Sequence, residues 1–350
     1  MKRFDRQIAN IPQSLWSLVS QIDELKGRFF GGASLNPQIL WRLKKSVLVT
    51  STGASTRIEG AKLSDEDVEK LMRGLSMQKF KDRDKQEVQG YYELLENVFS
   101  AYEKIPFSES SILHLHRELL KYVDKDTPHR GSYKKVENQV EMLDDAGARV
   151  AVVFATTPAW LTGKEMQELI EWTQNAFAEK KIHILIITAN FIVEFLKIHP
   201  FQDGNGRMSR ILTNLLMLQH GYEYVPYASH EKIIEGNKAE YYVVLRKSQK
   251  TFNTGVEDIS PWLEFFLNVS LTQAKEALAL ISNENIEKLL SPKQLLVWGY
   301  LVTIGEATPG EISKATKVAR PTVSQAINAL LRLKKVERIG QGRTTRYRKI

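Results

Sequence analysis

The chain has 350 residues, 43% hydrophobic and 9% aromatic, which is long enough for two or three folded domains with a sizeable core. It contains no cysteine, which excludes disulfides, thiolate catalysis and cysteine-ligated zinc or iron–sulfur centres, and fits a reducing, cytoplasmic setting with no membrane partner. The net charge of +8 is unevenly spread: residues 317–350 carry ten Lys or Arg against the single acid Glu337, so a phosphate-bearing partner is expected there and nowhere else.

Residues 1–100 read mostly as helix, with apolar residues at helical spacing over 11–25 and 40–49 and Ser64 placed to cap 65–73. Ser108 caps the next helix, which carries His114, Glu118 and Leu119 and runs to about 125, where Asp126-Thr127-Pro128 stops it. His114 and His116 form an H-x-H, but two residues apart on a helix they point to different faces, which argues against a metal pair. Residues 136–143 and 148–155 can be extended, with turn chemistry at 144–147, and predict a β-hairpin. Helical spacing resumes over 162–177 and 181–198 and stops at His199-Pro200, because the residue before proline avoids the helical region. More helices are expected from near Gly206, over 233–245 and over 261–280. The polar stretch 282–291 reads as a linker.

The last segment, 292–350, predicts helices over 293–302, from a capping box at Thr308, and over 321–334. Strands over 336–339 and 343–348 flank Gly340-Gln341-Gly342. Three helices and a basic hairpin resemble the winged helix-turn-helix, whose third helix enters a major groove. Gln325, Asn328 and Arg332 on the outward face, with Arg343, Arg346 and Arg348 on the wing, are the candidate DNA contacts; docking to a protein is the alternative. The fold class expected for the whole chain is mainly α. It comprises an N-terminal helical region (1–100), a helical domain with one inserted hairpin (101–281), the linker and a small C-terminal domain.

The segment richest in chemistry is His199 to Arg210, H-P-F-Q-D-G-N-G-R-M-S-R. Gly204, Asn205 and Gly206 put two residues without Cβ at the mouth of a helix, where backbone N–H groups and the helix dipole favour an anion. Arg207 and Arg210, three apart, reach from one face and can each fork onto phosphate oxygens. Asp203 is a hard carboxylate suited to Mg²⁺ bridging two phosphates. His199 has the side chain suited to taking a proton from a hydroxyl at neutral pH. A plain helix–loop–helix corner would account for any one of these residues, but not for all of them within twelve positions.

This segment resembles the signature of the Fic family, H-x-F-x-D/E-G-N-G-R-x-x-R, with every fixed position filled. The resemblance implies a Fic-type helical domain that transfers AMP from ATP to a protein Ser, Thr or Tyr hydroxyl. It assigns His199 as base, Asp203 to Mg²⁺, Phe201 to anchoring the loop, Asn205 and the loop amides to the α-phosphate, and Arg207 with Arg210 to the β- and γ-phosphates. The related Doc enzymes, which phosphorylate, have lysine where this chain has Gly206. Gly131-Ser132-Tyr133-Lys134 resembles the family's G-x-Y-R but departs at the last position, which leaves the role of that basic residue open. The hairpin is similar to the family's flap, which aligns a target segment as an added strand. Asn237, Tyr241 and Tyr242 resemble the N-x-x-x-Y-Y of the adenosine pocket, although helix packing explains that trio equally well.

Ser55-Thr56-Arg57-Ile58-Glu59-Gly60 matches the family's inhibitory motif, S/T-x-x-x-E-G/N. The resemblance implies that Ser55, Glu59 and Gly60 belong to a brake in which the Glu59 carboxylate occupies Arg210. Thr56 to Glu59 also reads as a capping box that merely opens a helix. Three functions follow as expectations: an adenylyltransferase autoinhibited by Glu59; a de-AMPylase using the same site; or a DNA-binding regulator whose Fic domain senses nucleotide. ATP and a hydroxyl-bearing protein are the expected partners, while self-modification, DNA and a homo-oligomer stay open.

Overall fold

Apolar residues at three- and four-residue spacing dominate the chain, and helices follow from them. The computed structural model describes residues 3–32, 37–74, 82–143, 149–281, 290–333, 335–340 and 345–349. Its first helices are α1 (Arg3–Gln7), α2 (Gln13–Gly32), α3 (Pro37–Ile58), α4 (Asp65–Arg73), α5 (Arg83–Ala101) and α6 (Glu109–Leu119). An antiparallel hairpin, β1 (Gln139–Leu143) with β2 (Arg149–Ala155), is followed by α7 (Ala159–Glu179), α8 (Ile184–Ile198) and α9 (Asn205–Gln219). Then come α10 (His230–Gly236), α11 (Lys238–Gln249) and α12 (Ser260–Ile281). The chain divides into two compact units, Met1–Gly27 with Lys44–Lys275, and Arg28–Leu43 with Glu276–Ile350. Among the described residues no helix is long and apolar enough to cross a membrane.

The first unit is built around α8 and α9. In α8 the run I-L-I-I-T-A-N-F-I-V-E-F-L-K-I is apolar on nearly every side, and all but its first residue and Lys197 are buried. A helix with no polar face has to sit at the centre of its domain. In α9 every residue from Arg207 to Leu218 is buried, two arginines included. The six residues between these helices are therefore held at both ends by the core, and it is this short segment that carries the candidate chemistry.

Three sequence expectations are corrected here. The helix expected over 40–49 continues to Ile58, and Thr56 lies inside it with its hydroxyl bonded to the carbonyls of Thr52 and Gly53. The capping-box reading of Thr56 to Glu59 therefore falls: Glu59 follows the helix's C-terminal end. Gly60, at φ 103°, closes that end in a left-handed conformation while Ala61 N–H bonds back to Thr56 O at 3.1 Å. Second, α6 stops at Leu119 and a 3₁₀ turn, Asp124–His129, follows it. Third, the helix expected over 233–245 is broken at Gly236-Asn237 into α10 and α11. The hairpin turn at 144–147, linker residues 282–289 and Arg343 lie outside the described residues.

The second unit contains α13 (Pro292–Ile304), β3 (Glu306–Ala307), α14 (Pro309–Thr316), α15 (Arg320–Arg332), β4 (Val336–Ile339) and β5 (Arg346–Lys349). Its sheet runs β3-β5-β4, antiparallel throughout, with β3 a strand that sequence spacing did not suggest. Val323, Ile327 and Leu330 of α15 join Val297, Leu301 and Ile312 in its core, while Gln325, Asn328 and Arg332 are exposed.

The N-terminal helix is tied to the middle of α8. Glu194, fully buried, receives Arg3 and Gln7, and Arg3 also reaches Glu165 at 2.9 Å. A buried carboxylate without its cation is strongly unfavourable. Arg3→Met is expected to destabilise the protein by about 3 kcal/mol, read as a lower urea midpoint with an unchanged slope.

Candidate active site

His199 ends α8 in a left-handed conformation, φ 52° and ψ 60°, with its N–H bonded to Phe195 O at 2.9 Å. Such a backbone is uncommon for a residue with a side chain and turns the imidazole out of the helix line. Its Nδ1 lies 3.3 Å from Leu196 O, so the proton belongs on Nδ1 and the lone pair on Nε2. Burial pushes its pKa down to about 4, with the nearby Lys134 cation adding to the effect. At neutral pH His199 is a neutral imidazole, the form that can accept a proton.

The loop that follows is stapled from inside. The Asn205 side chain accepts from Phe201 N–H at 2.9 Å and donates to Phe201 O at 2.8 Å. Both polar atoms expected to face a phosphate are thus used to close the loop, and any anion contact from residue 205 falls to its backbone N–H. Gly204, the residue before α9, has φ 82°. A Cβ there would lie 3.2 Å from Leu119 and 3.6 Å from His116 Nε2. The first N–H groups of α9 have no intrahelical acceptor and converge where the loop opens.

Carboxylates reach both signature arginines, each only 2% exposed. Arg210 donates through Nε to Ser55 Oγ at 2.8 Å, and through Nη2 to Ser55 O at 2.9 Å and Glu59 Oε1 at 2.7 Å. Burial opposes its charge, but the Glu59 carboxylate together with Tyr91 and Tyr241 raises its pKa. Arg207 donates to Asp203 Oδ2 at 2.7 Å and faces Glu87 Oε2 at 2.9 Å. Arg207 Nε and Arg210 Nη1 remain buried without a hydrogen-bond acceptor, a cost that an anionic ligand would remove. A Cβ on Gly206 would come within 2.2 Å of Glu59 Oε1, so the carboxylate occupies the volume that glycine leaves free.

In front of these arginines lies a cavity of about 210 Å³, lined by Glu59, Asn138, Leu196, His199, Gln202, Asp203, Gly204, Asn205, Gly206, Tyr241, Tyr242 and Leu245. Tyr241 and Tyr242 pack edge to face at 5.2 Å within it. Asn237 is not brought in: it lines a separate surface cleft with Glu240 and Glu264, and its amide bonds to Ile233 O at 2.8 Å. Burial resists ionisation of Asp203, but Arg207 and the Gly204 N–H hold its pKa below the usual carboxylate value. Among the described residues there is no group of three or more His, Asp or Glu placed to hold a metal. A single ionised carboxylate beside unpaired guanidinium donors fits Mg²⁺ that arrives on phosphates rather than a resident ion.

Two residues whose roles the sequence reading did not find complete the site. His116 stacks on Phe201 at 3.7 Å with the rings 5° from parallel, accepts Gly131 N–H on Nδ1, and donates from Nε2 to Asp203 O, both at 3.0 Å. One member of the H-x-H pattern is thus the strut under the loop. Lys134 Nζ contacts Asn138 Oδ1 at 2.7 Å, Thr156 Oγ1 at 2.9 Å and Ile198 O at 3.2 Å. Asn138 then donates to Phe201 O at 2.8 Å. Both legs of the hairpin are thereby tied to the end of α8. The only hint in the sequence was a basic residue after Gly131-Ser132-Tyr133.

Residues 106–217 match the profile of the Fic/DOC family. That segment is a Fic domain. A probable protein adenylyltransferase of Aquifex aeolicus (strain VF5) is 26% identical over 247 residues, 66% of this chain and 70% of that one. The protein adenylyltransferase Fic of Drosophila melanogaster is 30% identical over 169 residues, 47% of this chain but only 28% of that protein's length. Among solved structures, a Fic family protein from Desulfovibrio desulfuricans G20 aligns over 97% of both chains, with TM-score 0.63 and 24% identity, a likeness of fold. The Fic profile ends before Tyr241 and begins after Glu59 and Glu87, so three contributors to this cavity and its arginines lie outside the matched segment.

Two histidines of the Fic domain, His116 buried and His199 half-buried, predict an acid limit to stability. His116 and His199 both have pKa values pushed down to about 4 by burial, against the usual 6.5. Between those values the unfolded chain binds more protons than the folded one, so stability falls as pH drops from about 6.5 to about 4. Thermal unfolding across that window is expected to show this slope in wild type and a shallower one in His116→Asn.

Proposed function

We propose that this chain is a protein adenylyltransferase held at low activity by its own Glu59. The reading rests on one coincidence: a neutral imidazole with its lone pair on Nε2, an ionised Asp203, the open amides of α9 and two tyrosines share one cavity. The protein adenylyltransferase names carried by relatives support the same reaction class.

In this mechanism Tyr241 and Tyr242 flank the adenosine, and the N–H groups at the start of α9 receive the α-phosphate. Arg207 and Arg210 take the β- and γ-phosphates. Mg²⁺ held by Asp203 would neutralise part of the phosphate charge. A target segment pairs with the hairpin as an added strand and presents a Ser, Thr or Tyr hydroxyl. His199 Nε2 accepts the hydroxyl proton as the oxygen bonds to the α-phosphorus, and the bond to pyrophosphate breaks. The products are an AMP-protein and pyrophosphate. With Glu59 on Arg210, the γ-phosphate lacks that cation and the triphosphate cannot lie in the productive line.

Glu59→Gly is expected to raise transfer of label from [α-³²P]ATP onto protein, including the chain itself. Adding His199→Ala should lower it again by about 10²- to 10⁴-fold. Absence of labelling in Glu59→Gly would overturn the proposal.

For the C-terminal unit we infer a winged-helix module that contacts DNA through α15. Support comes from three helices with a three-stranded sheet and from the exposed face of Gln325, Asn328 and Arg332. Arg346 is paired with Glu306 and Glu311, and Arg348 with Glu337, so these two wing arginines are largely neutralised within the unit and the contact falls mainly to α15. Arg332→Ala should weaken binding to a fluorescent duplex and reduce its salt dependence; no duplex binding by the wild-type chain would refute this inference.

A further inference from the structure

Four charged side chains close a ring at the phosphate end of the Fic loop, and one of them has no role so far. Arg83, the first residue of α5, donates through Nε to Glu87 Oε1 at 2.7 Å. Glu87 Oε2 faces Arg207 Nη1 at 2.9 Å, Arg207 Nη2 donates to Asp203 Oδ2 at 2.7 Å, and that same oxygen lies 3.3 Å from Arg83 Nη2. Cations and carboxylates alternate around the ring. Its inner half is buried, with Arg207 2% and Glu87 10% exposed; its outer half is open, with Arg83 45% and Asp203 35% exposed.

Helix stability does not explain an arginine at this position. Arg83 stands at the first position of α5, where a cation is opposed by the positive end of the helix dipole. Its pairing with Glu87 four residues on is a surface-type contact of small worth. What its location does provide is a half-exposed guanidinium against Asp203 at the rim of the cavity. Asp203 Oδ2 is the single atom that both arginines share, so the ring opens wherever that carboxylate is engaged by something else. Arg83 Nη2 then keeps only the distant Asp126 Oδ2 at 3.7 Å, and Arg207 Nη2 is left needing an anionic acceptor, beside the buried Arg207 Nε that already lacks one.

We infer that Arg83 is a third polyphosphate-binding cation of this site, held in reserve by Asp203 and Glu87 until a nucleoside triphosphate with its divalent cation engages Asp203. The inference rests on the reading of the 199–210 loop as an ATP site. It assigns to Arg83 the terminal phosphates, since Arg83 shares Asp203 Oδ2 with Arg207, the residue read as a β- and γ-phosphate ligand.

The test compares the full-length Glu59→Gly chain with the same chain carrying Arg83→Gln or Arg83→Lys. Calorimetric affinities are measured for Mg²⁺ complexes of ATP, ADP and AMP. Arg83→Gln is expected to weaken ATP and ADP about tenfold, as for loss of a hydrogen bond to a charged group, and AMP hardly at all. Arg83→Lys should restore much of that loss, and the salt dependence of ATP binding should be shallower in the Gln variant. Equal losses for all three nucleotides, or no loss with ATP, would overturn the assignment while leaving the ATP site standing. Failure of the Glu59→Gly parent to bind any of the three would remove the ATP site itself, and this inference with it.

Discussion

Two guanidinium groups buried under the Fic loop set the terms for the rest of the first unit. A charge at 2% exposure is tolerable only with close, well-placed counter-charge. Arg210 finds it just past the end of α3 and Arg207 on α5 and in the loop. Helices far apart in the sequence are thus required to meet at α9. Glu59, just past α3, and Glu87 of α5 supply carboxylates that the arginines of α9 need. Residual unpaired donors on both arginines keep the arrangement short of full satisfaction, which leaves an appetite for anions inside an otherwise closed core.

A second constraint acts on the loop itself. Six residues must turn from α8 to α9 while leaving N–H groups open, so the turn cannot be held by those groups. It is held by side chains instead: Asn205 on the Phe201 backbone, His116 on Asp203 O, and Lys134 with Asn138 on the carbonyls of Ile198 and Phe201. Each prop comes from a different segment, and together they fix the imidazole of His199 without spending the amides of α9. Preorganisation of this kind lets a site stabilise developing charge without rearranging at the moment of reaction.

The loop was legible in the sequence because its chemistry is local: histidine, carboxylate, glycines and arginines lie within one turn and one helix start. The proposed brake was only half legible. Thr56 to Glu59 fitted both a cap and a carboxylate donor, and the choice depended on where α3 ends, which spacing across Gly53 and several Ser and Thr residues could not settle. Asn237 failed for a related reason: the Gly236-Asn237 break rotates it away from the tyrosines that follow on α11. His116, Lys134, Glu87 and Arg83 were opaque because their value comes from contacts across tens to hundreds of residues. In the second unit the buried face of α15 could be read from spacing alone, while the two-residue strand β3 exists only through its pairing with β5.

The grip of α3 on the core is graded along its length. Ser51 bonds to Ser229 and Ser55 to Arg210, both fully withdrawn from water, whereas Glu59, past the last helical turn, keeps 32% of its side chain exposed. The carboxylate can therefore leave Arg210 by a change of rotamer or by fraying of one turn, with Ser55 still holding the guanidinium in place. Rotamer changes at exposed positions occur in picoseconds to nanoseconds, and loop motions within microseconds. The brake proposed for Glu59 would on this construction set an occupancy rather than a barrier: its strength would be the fraction of time Glu59 spends on Arg210, and any contact that biases the end of α3 would adjust it continuously.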